Sequence, residues 1–207
     1  MIKNIIYDID GVLVDMDHAR WLWLREFPQY RNLKKADMVK LFPLDPNDGC
    51  IASSNTPVAN SLPHKLGESK HDFNRPPLPG VMEAVKKFNK SGYRQFTMTA
   101  TKKPNEKRVW FNGLFGNLIE FVPTAKLSNN YKHDDLVALM KKEKMKPEET
   151  VYLEDRFYII RDALAIPGLR VVRMRPKLSL PLPKDLRAAV PEFTKFSDFA
   201  KWLATQN

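Results

Sequence analysis

Cysteine is almost missing from this 207-residue chain, with Cys50 the single one. One thiol closes no internal disulfide, so an apolar core has to hold the fold, and such usage fits a reducing compartment. Long apolar runs are missing too. No stretch approaches the roughly 20 residues that a membrane-spanning helix needs. The opening run IIYDI is too short for the apolar part of a secretory leader and runs straight into acids. A soluble, cytoplasmic protein without a membrane partner is expected. Acids are in deficit, 24 against 34 Lys and Arg, for a net charge of +10. A basic surface attracts anions: phosphorylated metabolites, nucleotides, nucleic acid or headgroups. The basic residues are spread along the chain, thicker at KKPNEKR, MKKEKMK and RVVRMRPK, without a clean run of five or six. That argues against a disordered nucleic-acid tail and favours a solvated basic face.

What is present is ample material for a core: 43% hydrophobic residues, 11% of the chain aromatic. Strand candidates are KNIIYDI, YRQFTMT (93–99), LIEFV (118–122), TVYLE (150–154) and LRVVRM (169–174). Patterns of helical period lie between them. In PGVMEAVKKFNKSG, Val81, Met82, Val85 and Phe88 share a face, and Gly92 is a natural stop. In HDDLVALMKKEKM, Leu136, Leu139 and Met140 do the same, acids leading and lysines trailing as the helix dipole prefers, with Pro147 beyond. YIIRDALAI (158–166) reads as a further short helix, and SDFAKWLA as one opened by a capping serine. Alternating strands and helices predict an α/β, Rossmann-like three-layer sandwich with a central parallel sheet. Residues 16–79 break the rhythm. DHARWLWLREF and KKADMVKLF read as helices, but 43–79 is rich in Pro, Ser and Asn and has no steady period. The segment is expected to fold over the sheet as a mostly helical and irregular insertion, leaving 1–15 and 80–207 as the core.

The stretch DIDGVLVD follows an apolar run with two acids one residue apart. An unpaired buried carboxylate is costly, so the strand has to end there or the acids hold something positive. Alternation points Asp8 and Asp10 to one side, and Gly11 permits a sharp turn and a close approach. Ligands of open parallel sheets bind at the carboxyl ends of strands. Thr99 closes FTMTAT and the pair Glu154 and Asp155 closes VYLEDR, so three strands deliver polar groups to one edge. Carboxylates gathered there repel one another unless a cation sits among them. All-oxygen donors suit Mg²⁺.

DIDGVLVD, GYRQFTMTA and VYLEDR, in that order, resemble the first, second and fourth motifs of the haloacid-dehalogenase superfamily, on its phosphohydrolase side. The third motif is a lysine. Lys132, just before the helix DDLVALMKKEKM, is favoured over Lys126 in VPTAKLSNN. The resemblance implies that Asp8 attacks phosphorus and that Asp10 is an acid and base whose environment raises its pKa. It further implies that Thr99 and Lys132 bind the phosphoryl oxygens, and that Mg²⁺ is held by Asp8, Asp155 and the backbone carbonyl of Asp10. Residues 16–79 become a cap that selects a small phosphorylated substrate, a nucleotide being one choice. There are departures: Glu154 replaces a glycine, Ile159 and Ile160 stand where many members carry a later acid, and Val12 stands for the commoner Thr. Two other readings remain open, a phosphatase for nucleic-acid ends, motivated by the basic charge, and a non-catalytic binding module on the same fold. In the insertion, Arg20, Trp21, Trp23 and Arg25 read as core or substrate contacts, and Asp15 and Asp17 as helix caps. His64 and His71 make a weak metal pair.

Overall fold

The computed structural model describes residues 1–51, 56–124 and 132–206. Strand β1 (Asn4–Tyr7) is buried along its whole length, as a continuous apolar run in the middle of a parallel sheet must be. It pairs on one side with β2 (Arg94–Thr97) and on the other with β3 (Thr150–Glu154). Next come β4 (Arg170–Met174) and β5 (Glu192–Phe193), giving the order β2-β1-β3-β4-β5, parallel throughout. Tyr7 lies level with Thr97 and with Leu153. This register brings the residues that follow, Asp8, Thr99 and the Glu154–Asp155 pair, to one edge.

The expected strand at 118–122 is only partly realised. Phe96 bridges to Glu120 and Thr99 to Pro123, both parallel. The Val122 amide donates to the Thr97 hydroxyl (2.8 Å) and takes no backbone partner there, and Pro123 has no amide to offer. Strand β5 went unrecognised, being only two residues long.

The described residues between 16 and 79 include three short α-helices: α1 (Met16–Leu24), α2 (Met38–Leu41) and α3 (Pro57–Ser61). Asp15 caps α1 by accepting from the His18 amide at 2.9 Å. Trp23, Leu24, Phe27, Met38, Phe42 and Ile51 form a hydrophobic cluster of the insertion's own. Its two connections to the sheet lie side by side: the Asp15 amide donates to Pro76 O and the Leu78 amide to Leu13 O, both at 2.9 Å.

Helices cover both faces of the sheet. Helices α4 (Val81–Lys90) and α5 (Pro104–Phe115) share one side with the C-terminal helix Phe196–Ala204. Their Val85, Phe88, Phe111, Phe115 and Phe199 pack on Ile5, Tyr7, Val151, Leu153 and Val172. On the other side α6 (His133–Lys142) and α7 (Phe157–Leu164) bring Leu136, Leu139, Met140, Phe157 and Ile160 against Ile6, Phe96, Tyr152 and Val171. Each such side chain contributes about 1.5–3 kcal/mol on burial. After α8 (Lys184–Arg187), the last helix, α9 (Phe196–Ala204), starts before the serine expected to cap it. Lys195 is its N-cap and supplies no side-chain bond. No helix of the described residues is long and apolar enough to cross a membrane.

Candidate active site

Asp8 follows β1, its amide held by Leu153 O at 2.8 Å, and its carboxylate is buried. Lys132, at the N-terminus of α6, donates to Asp8 Oδ1 at 2.6 Å and to Glu154 Oε2 at 3.0 Å. Glu154 is fully used. Its Oε2 also accepts from the Tyr152 hydroxyl (2.5 Å), and its Oε1 accepts from the amides of Asp155 (3.0 Å) and Arg156 (3.3 Å). Burial works against its charge, yet Lys132 and these donors hold its carboxyl down at about 2. Burial pushes Asp8 up to about 6 against the pull of Lys132, with Glu154 and Asp10 adding to the push.

Asp155 is different. Burial and the charge of Glu154 drive its carboxyl well above the usual range. Its Oδ2 accepts from the Cys50 thiol at 3.3 Å, while its Oδ1 is buried with no hydrogen-bond partner among the described residues. Gly11, at φ +87°, lies so close that a Cβ there would stand 2.3 Å from Asp155 Oδ2. Ligand oxygens of Asp8, Glu154 and Asp155 lie within 4.8 Å of one another. An orphaned carboxylate oxygen next to a second carboxylate fits a hard divalent cation held by oxygen. Asp8 and Asp155 are the members with capacity to spare, because Glu154 is saturated by its donors.

Asp10 is not in that cluster. Arg75 Nη1 donates to its Oδ1 at 2.6 Å and Lys107 Nζ to its Oδ2 at 2.7 Å. Burial opposes the charge, but the two cations outweigh it and hold Asp10 well below the usual carboxylate range. The expectation of a raised Asp10 pKa is thus reversed. Lys107 also donates to the Thr99 hydroxyl at 2.9 Å. Arg75 turns its other nitrogen to Asp72 (2.6 Å).

Asp8, Asp10, Thr99, Lys132 and Glu154 line one cleft of about 120 Å³, together with Thr124, Arg156, Tyr158 and Ile159. A larger groove of about 780 Å³, lined by Tyr93, Arg94, Arg108 and Glu120 among others, includes none of these acids. Lys126 lies outside the described residues. Of the insertion residues, Trp23 is core, Trp21 donates to Leu33 O, Arg25 to Arg31 O, and Arg20 pairs with Asp17. His64 and His71 both face Glu26, at 2.8 and 3.5 Å. Arg75 and Lys107 were missed. Lys107, Phe111 and Phe115 are the buried residues of α5 at a spacing of four, so a lysine in register with an apolar stripe was a readable signal. Arg75 sits in an aperiodic segment that carries none.

The profile of the haloacid dehalogenase-like hydrolases matches residues 5–166. The chain belongs to that family. Among solved structures, the fold is similar to that of a predicted phosphatase from Clostridium acetobutylicum, at 14% identity, TM-score 0.63, and 99% of each chain covered. It is also similar to a subfamily IA hydrolase of the family from Geobacter sulfurreducens, at 16% identity and TM-score 0.60, covering 98% of this chain and 96% of that one. CbbY from Rhodobacter sphaeroides, solved in complex with phosphate, matches at 16% identity and TM-score 0.60 over 96% of each chain. At such identities the likeness is one of fold. No curated protein matches the chain. The family assignment makes this haloacid dehalogenase-like chain a hydrolase built on the expected parallel sheet.

Proposed function

We propose that this chain is a Mg²⁺-dependent phosphatase that hydrolyses a small phosphorylated metabolite through an aspartyl-phosphate on Asp8. The observation that carries the reading is the setting of Asp8, held through Oδ1 by Lys132 in a cleft shared with Thr99, beside the unpartnered Oδ1 of Asp155. A nucleotide is one candidate substrate. Residues 16–79 act as the cap over the site.

Asp8 Oδ2 forms the bond to phosphorus as the bond to the leaving oxygen breaks. The Thr99 hydroxyl and the Lys132 ammonium donate to the phosphoryl oxygens as charge moves onto them. Asp10 gives its proton to the leaving oxygen, then takes one from the water that attacks the phosphoryl group, which restores Asp8. Paired to Arg75 and Lys107, Asp10 is set up for the second half, as a base. Its service as an acid calls for one of those cations to turn toward the incoming phosphoryl oxygens. Asp8, Asp155 and the backbone carbonyl of Asp10 would hold Mg²⁺, which when bound would supply positive charge that offsets the repulsion between carboxylate and phosphate.

The test is phosphate release from p-nitrophenyl phosphate with and without Mg²⁺, comparing the parent with Asp8→Asn. Metal-dependent turnover lost in the variant supports the reading. Equal turnover in both proteins removes Asp8 from the mechanism. No turnover in either moves weight to a binding module, pursued by nucleic-acid titration at two salt concentrations.

A further inference from the structure

The cleft holds a cation that the chemistry above leaves unused. Lys132 is committed to Asp8 and Glu154, and Lys107 to Asp10 and Thr99. Arg156 lines the same cleft. Its backbone amide donates to Glu154 Oε1, which fixes it at the carboxyl end of β3 directly after Asp155.

The guanidinium of Arg156 makes no hydrogen bond to a carboxylate among the described residues, although against the effect of burial the nearby charges of Asp155 and Asp48 hold its pKa well above the usual value. Nη1 donates to the Tyr158 hydroxyl at 3.0 Å, a neutral partner. Its only ion pair among the described residues is with Asp48, Nε to Oδ1 at 3.7 Å, too long for a hydrogen bond. Asp48 Oδ1 itself has no hydrogen-bond partner. Other arginines here behave differently: Arg75 meets two carboxylates at 2.6 Å each, and Arg173 meets Glu192 at 2.5 Å. A guanidinium presents a planar fork suited to two oxygens of one anion. In Arg156 that fork holds one neutral oxygen and no carboxylate within hydrogen-bond distance among the described residues, with 38% of the side chain exposed. Thr124 Oγ1, on a residue lining the same cleft, is buried and has no hydrogen-bond partner among the described residues.

We infer that Arg156, with Tyr158 and Thr124 beside it, forms a second anion subsite, and that the substrate is a phosphomonoester with a second oxyanion a few bonds from the ester. This rests on the phosphatase reading and narrows its substrate class. The short spacing follows from the shared lining: Arg156 stands in the same cleft as Asp8, Thr99 and Lys132, so an anion held by it lies close to the phosphoryl group. Arg156 stands three and four residues before Ile159 and Ile160, which hold the places of the family's later acid. An acid there would compete with a substrate anion for Arg156, and this chain lacks one.

Calorimetric titration of the full chain, with Mg²⁺ in excess, tests the subsite without turnover. The probes are methylphosphonate, phosphonoacetate and methylenediphosphonate; the second adds a carboxylate, the third a second phosphonate. The parent is expected to bind one of the doubly anionic probes about tenfold or more tighter than methylphosphonate. The preferred probe identifies the second group. Arg156→Gln brings the ratio close to one, and Arg156→Lys, which keeps the charge without the fork, retains part of it. Equal binding of all three by the parent overturns the inference, and so does a preference that survives Arg156→Gln. If the three bind equally while Asp8→Asn abolishes p-nitrophenyl phosphate hydrolysis, the subsite falls and the phosphatase reading stands. No binding of any phosphonate, together with no Asp8-dependent hydrolysis, overturns both.

Discussion

Replacing Lys132 with methionine keeps most of the side chain's volume and removes the cation that touches both Asp8 and Glu154. All three groups are buried. Removing one partner of a buried ion pair costs about 3–5 kcal/mol, because the other charge stays behind without compensation. That is a large share of the roughly 5–15 kcal/mol that holds a domain folded. The loss depends on pH. Burial already raises Asp8 from 3.8 to about 6 with Lys132 in place; without the lysine its folded pKa climbs further. A carboxyl raised on folding contributes stability that is fully present below its unfolded pKa and disappears as pH rises through the folded one. Lys132→Met therefore loses less near pH 4, where Asp8 carries a proton and only the pairing with Glu154 is forfeited, than near pH 8, where both pairings are. Glu154, lowered to about 2 by Lys132 and its other donors, titrates in the opposite sense. Its contribution is present above its unfolded pKa and is lost as pH falls through the folded one. Urea unfolding in metal-free buffer at the two pH values, with an unchanged m-value, reads the difference. A loss below about 1 kcal/mol near pH 8, or the same loss at both, would refute the account of Lys132 as the shared counter-ion.

Gly11→Ala places a Cβ against Asp155 Oδ2 at a φ of +87°; it is expected to lower stability by about 1 kcal/mol or more and to weaken Mg²⁺ binding, read by calorimetry. Tyr152→Phe removes the hydroxyl at 2.5 Å from Glu154 Oε2 and is expected to cost about 1.5–3 kcal/mol in a urea melt; a neutral result would mean that Glu154 is satisfied without it. Lys107→Met strips a donor from both Asp10 and Thr99, and kcat/KM for p-nitrophenyl phosphate is expected to fall by about tenfold or more.

The sheet was legible because its central strands are buried on both faces and read as unbroken apolar runs. IIY of β1 and VYL of β3 are of this kind, each followed at once by acids. Amphipathic α4 and α6 were legible from their period. Helix α5 was not read, because its buried face begins with Lys107 in a stretch that reads as plain basic surface. The segment at 118–122 has strand composition, but Pro123 and the Thr97 hydroxyl interrupt its ladder. The order of the strands placed Asp8, Asp10, Thr99 and Asp155 at one edge and the family resemblance added Lys132; Asp8, Asp10, Thr99 and Lys132 do line one cleft, with Asp155 close to Asp8. Arg75 was not: it arrives from an irregular insertion, and only the pairing of Asp15 with Pro76 and Leu78 with Leu13 brings that segment over the site. Arg75 and Lys107 outweigh burial and shift Asp10 down, opposite to the direction that the resemblance implied.

The most direct measurement traps the covalent intermediate. The parent and Asp10→Asn are mixed with p-nitrophenyl phosphate and Mg²⁺, quenched in acid, digested, and mapped by mass spectrometry. p-Nitrophenolate leaves without needing a proton, so Asp10→Asn is expected to reach the intermediate and then fail to activate water. The account predicts a phosphoryl group on Asp8, more abundant in Asp10→Asn than in the parent. Metal-dependent turnover with a phosphoryl group on another residue, or with none that the quench can trap in either protein, would contradict it.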